Sequence, residues 1–255
     1  MAAQDIAPGT DKPMSTLWLS LTLGVAAGLA DYLGGVLLVR RSPTARSLRY
    51  FVALGAGFML AAAVLEMVPE GLALNPRWAP LLVLVGYCGV HLLEHTLVPH
   101  FHFGEETHHE EFLSARTSYS VLLGLAAHTF FDGIAIGSGF AISHWLGWVI
   151  FIAVFLHKLP EGFTVASVML ASGRGKNAAL NSAMFLGATT LAGVLAINLQ
   201  PAWVRVGLPL SAGVTIYVAG TDLVPEVNRE PGIRMALVLF AGVAIFFLLK
   251  ILSPF

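Results

Sequence analysis

Eight apolar runs divide this sequence, and each is long enough to cross a bilayer as a helix. A hydrocarbon core of roughly 30 Å needs about 20 helical residues per crossing. The runs cover residues 16–39, 48–74, 79–99, 117–142, 145–171, 177–199, 203–228 and 232–252. They lack the alternating pattern of a β-barrel, so the predicted class is all-α: a polytopic membrane protein with eight transmembrane helices.

The composition agrees with a chain that lies mostly in lipid. Of the 255 residues, 56% are hydrophobic and 11% are charged, and the mean hydropathy is +0.78. Soluble domains carry about 25% charged residues. The net charge of −1 gives no reason to expect nucleic acid as a partner. Cys88 is the single cysteine, which excludes an internal disulfide and a Cys-rich zinc module.

The arginines and lysines between the runs predict the orientation of the chain. The odd-numbered connections hold nine of these cations, and the even-numbered connections and tails hold four. Because cytoplasmic loops carry the excess of positive charge, both termini are predicted to lie outside a cell membrane of the bacterial inner-membrane type. We expect one transporter domain over 1–255, made of an external tail (1–15), helices one to three (16–99), a cytoplasmic loop (100–116), helices four and five (117–171) and helices six to eight (177–252).

The predicted cytoplasmic loop is rich in histidine. The stretch "PHFHFGEETHHEEF" combines four histidines with four carboxylates. Such a tract either collects divalent cations or is simply a solvated loop, and both alternatives stay open. Just before it, "HLLEH" places three more metal-binding side chains at the end of run three. The full set is His91, Glu94, His95, His100, His102, His108 and His109.

Four runs contain an ionisable residue followed four positions later by a carboxylate. Because residues i and i+4 share one helix face, each pair presents two ligand atoms to one point. The pairs are Glu66 with Glu70, His128 with Asp132, His157 with Glu161, and Asp222 with Glu226. Three of the pairs also contain a proline, at positions 69, 160 and 225, which predicts interrupted helices that line a polar path.

The two histidine-containing pairs predict a metal site. His128 and His157 lie near the middle of runs four and five, which a short turn joins. With Asp132 and Glu161 they offer two imidazoles and two carboxylates to one cation at mid-membrane. This set of ligands suits zinc, and it suits iron or manganese when oxygen or water ligands are added. A transporter binds its substrate at this depth.

The two acidic pairs predict an internal repeat. "LEMVPE" in run two and "TDLVPE" in run seven have mirrored depths in the inferred orientation. Glu66 and Glu70 are predicted toward the outside, and Asp222 and Glu226 toward the cytoplasm, as pathway residues. This symmetry indicates an inverted repeat that relates runs one to three to runs six to eight, in a 3+2+3 arrangement.

At these residues the chain resembles the ZIP family of zinc- and iron-transporter-like proteins. That family has signatures close to H-N-x-x-D/E-G and H-E/N-x-P-E-G, which here read "HTFFDG" (128–133) and "HKLPEG" (157–162). The resemblance implies a carrier rather than an enzyme, with eight helices and an elevator-like movement. It implies import of zinc, and also of iron, manganese or cadmium, into the cytoplasm without an organic cofactor. A homodimer is left open. The primary site implied by position is His128, Asp132, His157 and Glu161.

Lys158 departs from the family pattern. Members with two metal ions usually have further ligands at the positions of Thr129 and Lys158, and a carboxylate in span six, whereas 177–199 contains no acid. We hypothesise that the Lys158 ammonium takes the place of a second cation and pairs with Glu161. Asp31 in run one is interpreted as a structural hydrogen-bonding group.

Two rival functions remain open. "HLLEH" matches the inverted zinc-peptidase motif H-x-x-E-H, so an intramembrane zinc metallohydrolase is the first alternative, with Glu94 as its general base. The second is a metal exporter of another family, or a sensor that binds metal without moving it.

Overall fold

The computed structural model describes residues 14–41, 45–97, 115–228 and 233–252. In this part of the chain, eight helices are long and apolar enough to cross a membrane, and there is no strand. They are α1 (Met14–Arg41), α2 (Ala45–Ala62, Ala63–Met67 and Val68–Leu74 in succession), α3 (Ala79–Leu97), α4 (Ala115–Ile142), α5 (His144–Ala171), α6 (Lys176–Leu199), α7 (Val204–Tyr217, Val218–Leu223 and Val224–Asn228 in succession) and α8 (Ile233–Leu252). The predicted all-α class and the eight membrane-length helices are confirmed.

Two helices widen into a π-helical segment just before a proline. In α2 the segment Ala63–Met67 precedes Pro69, and the N–H of Val68 donates to the carbonyl of Ala63, five residues back. The wider turn adapts the helix to the missing proline N–H. The same arrangement occurs in α7, where Val218–Leu223 precedes Pro225 and the N–H of Val224 donates to the carbonyl of Ala219.

Pro160 behaves differently from the other two prolines. It lies inside α5, which continues as an α-helix from His144 to Ala171. The predicted interruption is therefore wrong at this position. Neighbouring helices surround α5, since α1, α2, α4 and α6 all contact it, and this packing holds the helix on both sides of the proline.

Packing divides the eight helices into two groups of four. In the first group (α1, α4, α5 and α6), α1 contacts α5 and α6, and α4 contacts the same two helices. In the second group (α2, α3, α7 and α8), α2 contacts α7 and α8, and α3 contacts α7. The groups meet chiefly where α2 packs on α5 and where α4 packs on α7.

Glycines bring helices of the same group into backbone contact. A methyl group on Gly34 of α1 would overlap the carbonyl of Leu159, and one on Gly162 of α5 would overlap the carbonyl of Asp31. Only a residue without a side chain allows two helices to approach so closely. The equivalent contacts join Gly193 to Phe130 and Gly133 to Thr190 between α4 and α6, Gly57 to Leu239 and Gly242 to Leu54 between α2 and α8, and Gly213 to Val83 and Gly86 to Leu210 between α3 and α7.

The most enclosed helices are α4 and α5. In each of them 72% of the most apolar window is buried, compared with 17% in α3 and in α8. A one-residue connection at Ser143 joins α4 to α5, and the Ser143 hydroxyl caps α5 by accepting the N–H of Leu146 at 3.1 Å. The chain therefore reverses direction sharply, and the polar faces of α4 and α5 meet at the centre of the molecule.

Candidate metal site

The four predicted ligands meet between α4 and α5. His128 and Asp132 project from successive turns of α4, and His157 and Glu161 from successive turns of α5. One ligand atom from each of the four residues lies within 4.8 Å of the others. All four side chains are buried, with 2% or less of each residue exposed. The arrangement places two imidazoles and two carboxylates around one point.

Four of the distances between ligand atoms lie near those around a tetrahedral metal ion. The Nε2 atom of His128 lies 3.4 Å from Glu161 Oε1 and 3.7 Å from Asp132 Oδ2. The Nε2 atom of His157 lies 3.2 Å from Asp132 Oδ2 and 4.0 Å from Glu161 Oε2. A tetrahedral site with zinc bonds of about 2.0–2.1 Å has ligand atoms roughly 3.3 Å apart. The four side chains are therefore spaced for one zinc ion, although both carboxylates also pair with the Lys158 ammonium.

Hydrogen bonds orient two of the ligands. The Nδ1 atom of His157 lies 3.1 Å from the carbonyl of Ala153, which leaves Nε2 as the lone-pair atom that faces the centre. The hydroxyl of Thr129 lies 2.5 Å from Glu161 Oε1 and donates to it. Neither ring nitrogen of His128 has a hydrogen-bond partner, although both are buried. A buried imidazole without a partner is expected where a ligand completes the site.

Lys158 is fully buried beside this centre. Its Nζ atom lies 2.6 Å from Glu161 Oε2 and 2.9 Å from Asp132 Oδ2. The predicted pairing with Glu161 is therefore present, and Asp132 also takes part. A buried ammonium needs such compensation, because desolvation of an unpaired charge is very costly.

Asp31 joins the cluster from α1, in an environment that differs from the predicted one. Its carboxylate is fully buried and neither oxygen has a hydrogen-bond partner, so it is not the hydrogen-bonding group that we expected. Instead, Oδ2 lies 3.8 Å from Lys158 Nζ. The signal that could have identified Asp31 is an acid within an apolar run, since an intramembrane ionisable group is a functional candidate by default.

The acidic pairs of α2 and α7 lie outside this cluster. Glu66 is in the π-helical segment of α2, where its Oε1 atom forms an ion pair with Lys250 of α8 at 2.8 Å. Glu70 follows one turn later and is half-buried. The end of α2 packs on the start of α7, as the contact between Gly71 and Pro209 shows. The two helices are therefore antiparallel.

The second acidic pair consequently lies toward the opposite end of the molecule. Asp222 is buried in the π-helical segment of α7. Glu226 follows in Val224–Asn228, and its side chain lies outside the described part of the structure. The roles of Glu66, Glu70, Asp222 and Glu226 in a pathway remain predictions.

The "HLLEH" residues do not assemble a set of three ligands in the described part of the chain. The imidazoles of His91 and His95 pack against each other with ring centroids 4.0 Å apart. The Glu94 carboxylate accepts a hydrogen bond from the Tyr217 hydroxyl at 2.8 Å, which ties α3 to α7. Sequence reasoning missed this contact because Tyr217 is far away along the chain. His100, His102, His108 and His109 lie outside the described residues.

Comparison with known proteins identifies the family. A model of the ZIP zinc transporter family matches residues 104–250, more than half of the chain. The chain belongs to the ZIP family. The matched residues include α4 and α5, and therefore all four candidate ligands of this ZIP protein. Together with the eight apolar helices, the family match makes the chain a multi-pass membrane protein.

Individual ZIP relatives match about half of the chain. Human zinc transporter SLC39A7 is 31% identical over 128 residues, which are 45% of this chain and 27% of that protein. Human zinc transporter ZIP4 is 34% identical over 117 residues, 44% of this chain and 18% of the relative. Zinc transporter foi of Drosophila melanogaster is 28% identical over 123 residues, 47% of this chain and 17% of the relative. The matched part is thus less than a third of each relative.

Proposed function

We propose that the chain carries divalent transition-metal ions across a membrane into the cytoplasm, with zinc as the first candidate and iron, manganese or cadmium as further substrates. The observation that carries this proposal is the buried group of His128, Asp132, His157 and Glu161 between α4 and α5. The names of the zinc transporters that match the chain agree with it. The metal is the substrate, and we propose neither enzyme activity nor an organic cofactor.

The charge of the cluster favours one divalent ion at a time. With ionised carboxylates and neutral imidazoles, Asp31, Asp132 and Glu161 contribute three negative charges and Lys158 one positive charge, a net charge of −2. One divalent ion neutralises this charge, whereas two would leave an excess of two positive charges in a site of low dielectric constant. Lys158 thus serves as a tethered substitute for a second cation.

The packing supports an elevator-like movement of the first helix group against the second. Backbone contacts at glycine lock helices together inside each group. Between the groups, by contrast, Gly55 of α2 meets Leu156 of α5 at ordinary van der Waals distances, and Gly207 of α7 closely faces a side-chain methyl group of Ile134 rather than backbone. Close backbone packing resists sliding, whereas ordinary contacts and contacts with side-chain ends can rearrange. The metal ligands all lie in the first group, so a movement of that group would carry the ion with it.

The same contacts support the 3+2+3 inverted repeat. If α1, α2 and α3 correspond to α6, α7 and α8, and α4 to α5, the glycine contacts of one half match those of the other. Gly34 of α1 contacts the backbone carbonyl of Leu159, which is three residues before Gly162 of α5. In the other half, Gly193 of α6 contacts the backbone carbonyl of Phe130, which is three residues before Gly133 of α4. The α2–α8 and α3–α7 contacts correspond in the same way. The π-helical segments before Pro69 and Pro225 are a further matching pair.

The orientation and the assembly complete the proposal. We place both termini outside and the histidine-rich loop in the cytoplasm, because nine of the loop cations lie on that side. Metal would then enter past Glu66 and Glu70 and leave past Asp222 and Glu226.

Two copies would associate through α3 and α8, which are the least buried of the eight helices. We further propose a membrane of the bacterial inner-membrane type as the location.

Transport by purified protein in proteoliposomes tests the function. We expect zinc influx into the vesicles, and we expect the double variant His128→Ala with His157→Ala to reduce the flux at least tenfold, because half of the ligands are lost. The matched control is His144→Ala, which removes an exposed histidine at the start of α5. Wild-type flux in the double variant would contradict the proposal. Vesicles loaded with zinc and assayed for efflux would reveal an exporter.

The metallohydrolase alternative is tested in the same assay. Glu94 lies near the end of α3 and contacts Tyr217 rather than a set of metal ligands. We expect Glu94→Gln to keep most of the zinc flux. Loss of a peptide-cleaving activity in this variant, with flux absent in the wild type, would instead support a hydrolase with Glu94 as general base.

A further inference from the structure

The Asp31 carboxyl group occupies an unusual position for a buried polar group. Both of its oxygens lack a hydrogen-bond partner, and the cation beside it, Lys158 Nζ, is 3.8 Å away, too far for a hydrogen bond. Buried carboxylates are normally paired with hydrogen-bond donors. Backbone contacts of α1 and α5 at Gly34 and Gly162 hold Asp31 at this distance. The fold therefore keeps an acceptor free directly behind Lys158.

The partners of Lys158 are the same groups that a metal would use. Its ammonium is bound to Asp132 Oδ2 and Glu161 Oε2, and both carboxylates belong to the candidate metal site. An incoming divalent ion would lie about 2 Å from such oxygens. The ammonium must then withdraw from them, because two cations repel each other strongly when they share the same lone pairs in a buried site of low dielectric constant. Once it leaves these two carboxylates, the buried Lys158 ammonium needs another anion to compensate its charge.

We propose that Asp31 receives the Lys158 ammonium when a metal ion binds, and that it thereby sets the metal affinity of the site. A shift of about 1 Å along the flexible lysine side chain shortens the present 3.8 Å separation to a charge-assisted hydrogen bond. Asp31 is a positioning residue, since it acts on the metal through Lys158 and is not one of the four ligands. The inference rests on the proposed metal-binding function of this site.

A double-mutant cycle measures this coupling. The variants are Asp31→Asn, Lys158→Gln and the combination of both, and the readout is calorimetric titration of the purified chain in nanodiscs with Zn²⁺ and with Cd²⁺. Asp31→Asn leaves the ammonium on Asp132 and Glu161, so we expect the affinity to fall about tenfold. In the Lys158→Gln background there is no ammonium to receive, and the same substitution should change the affinity less than about threefold.

A matched control separates the coupling from general damage to α1. Ser20→Ala removes a buried polar group of the same helix, where the Ser20 hydroxyl accepts a hydrogen bond from Asn198 of α6 at 3.1 Å. We expect wild-type affinity for this variant. If Asp31→Asn does not yield monodisperse protein, Asp31→Ser replaces it in the cycle, because serine also removes the charge.

The outcomes are distinct. An equal loss of affinity in both lysine backgrounds would overturn the inference, since Asp31 would then act independently of Lys158. Wild-type affinity of the Asp31→Asn variant would overturn it as well. A wild-type chain that binds neither Zn²⁺ nor Cd²⁺ would instead refute the proposed function, together with everything that rests on it.

Discussion

At the scale of single residues, ionisable side chains buried near the middle of membrane-length helices are the most informative feature of this protein. Each would be costly alone, at about 3 kcal/mol or more for a charged group at the centre of a helix. Here they compensate one another, because Lys158 contacts two carboxylates and lies near a third. With the three carboxylates ionised and the imidazoles neutral, the net charge of the cluster is −2, which matches one divalent ion.

This charge balance predicts the number of ions bound. Equilibrium dialysis of the purified chain against Zn²⁺ should give one tightly bound ion per chain. In Lys158→Glu, the removed ammonium and the added carboxylate lower the charge of the cluster by two, and we expect two ions. The control Lys176→Glu makes the same charge change at an exposed position at the start of α6 and should still bind one ion. Two tightly bound ions in the wild type would disprove the substitution of a cation by Lys158.

At the scale of the helices, glycine decides which pairs of helices pack directly. Gly193 of α6 is an example, since a methyl group there would overlap the carbonyl of Phe130 in α4. Because the obstacle is backbone rather than a mobile side chain, the helices must separate to make room. Separation along α4 and α6 would loosen one of the interfaces that hold the first group together.

We therefore expect Gly193→Ala to destabilise the protein by roughly 1–3 kcal/mol, the usual cost of overpacking. The measurement is the midpoint of thermal unfolding in detergent, followed by tryptophan fluorescence. Gly89→Ala is the matched control, because nothing lies within 4 Å of a methyl group at that position of α3. Alanine has the higher helix propensity, so the control should be as stable as the wild type or more stable. Equal midpoints for both variants would contradict the role assigned to the close contact.

At the scale of the whole molecule, the two helix groups are the units of the proposed movement. The first group holds the candidate ligands together with Lys158 and Asp31, and the second group holds Glu66 and Asp222. A covalent link between the groups should therefore stop transport, while a link inside one group should not.

A pair of engineered disulfides tests this distinction in a Cys88→Ser background, since Cys88 is exposed. A Cβ atom at Gly55 would lie 3.5 Å from the Cβ atom of Leu156, which is within the usual range for a disulfide, so Gly55→Cys with Leu156→Cys links α2 to α5. The control, Gly24→Cys with Val194→Cys, links α1 to α6 inside the first group at the same 3.5 Å separation. Oxidation should abolish zinc flux only in the first variant, and reduction should restore it. Unchanged flux in the oxidised first variant would rule out relative movement of the groups.

Much of the fold and part of the candidate site could be predicted from the sequence alone. The eight spans follow from hydropathy, because lipid accepts only helices and closed barrels. The i, i+4 spacing of His128 with Asp132, and of His157 with Glu161, identified side chains on one helix face. The pairing of Lys158 with Glu161, one turn apart, is equally local. The helix through Pro160 was predicted wrongly, because its neighbours outweigh the local effect of proline.

The sequence by itself determined which segments cross the membrane and which ligands share a helix face, since hydropathy and spacing act over a few turns of one chain segment. Only the tertiary structure decided the spacing of the four ligands around the centre that the sequence predicted, the position of Asp31 beside Lys158, and the contacts of the Tyr217 hydroxyl with Glu94 and His91. These contacts join residues far apart in sequence, and they depend on how glycine lets particular helices approach. No local pattern in the chain encodes that choice of partner.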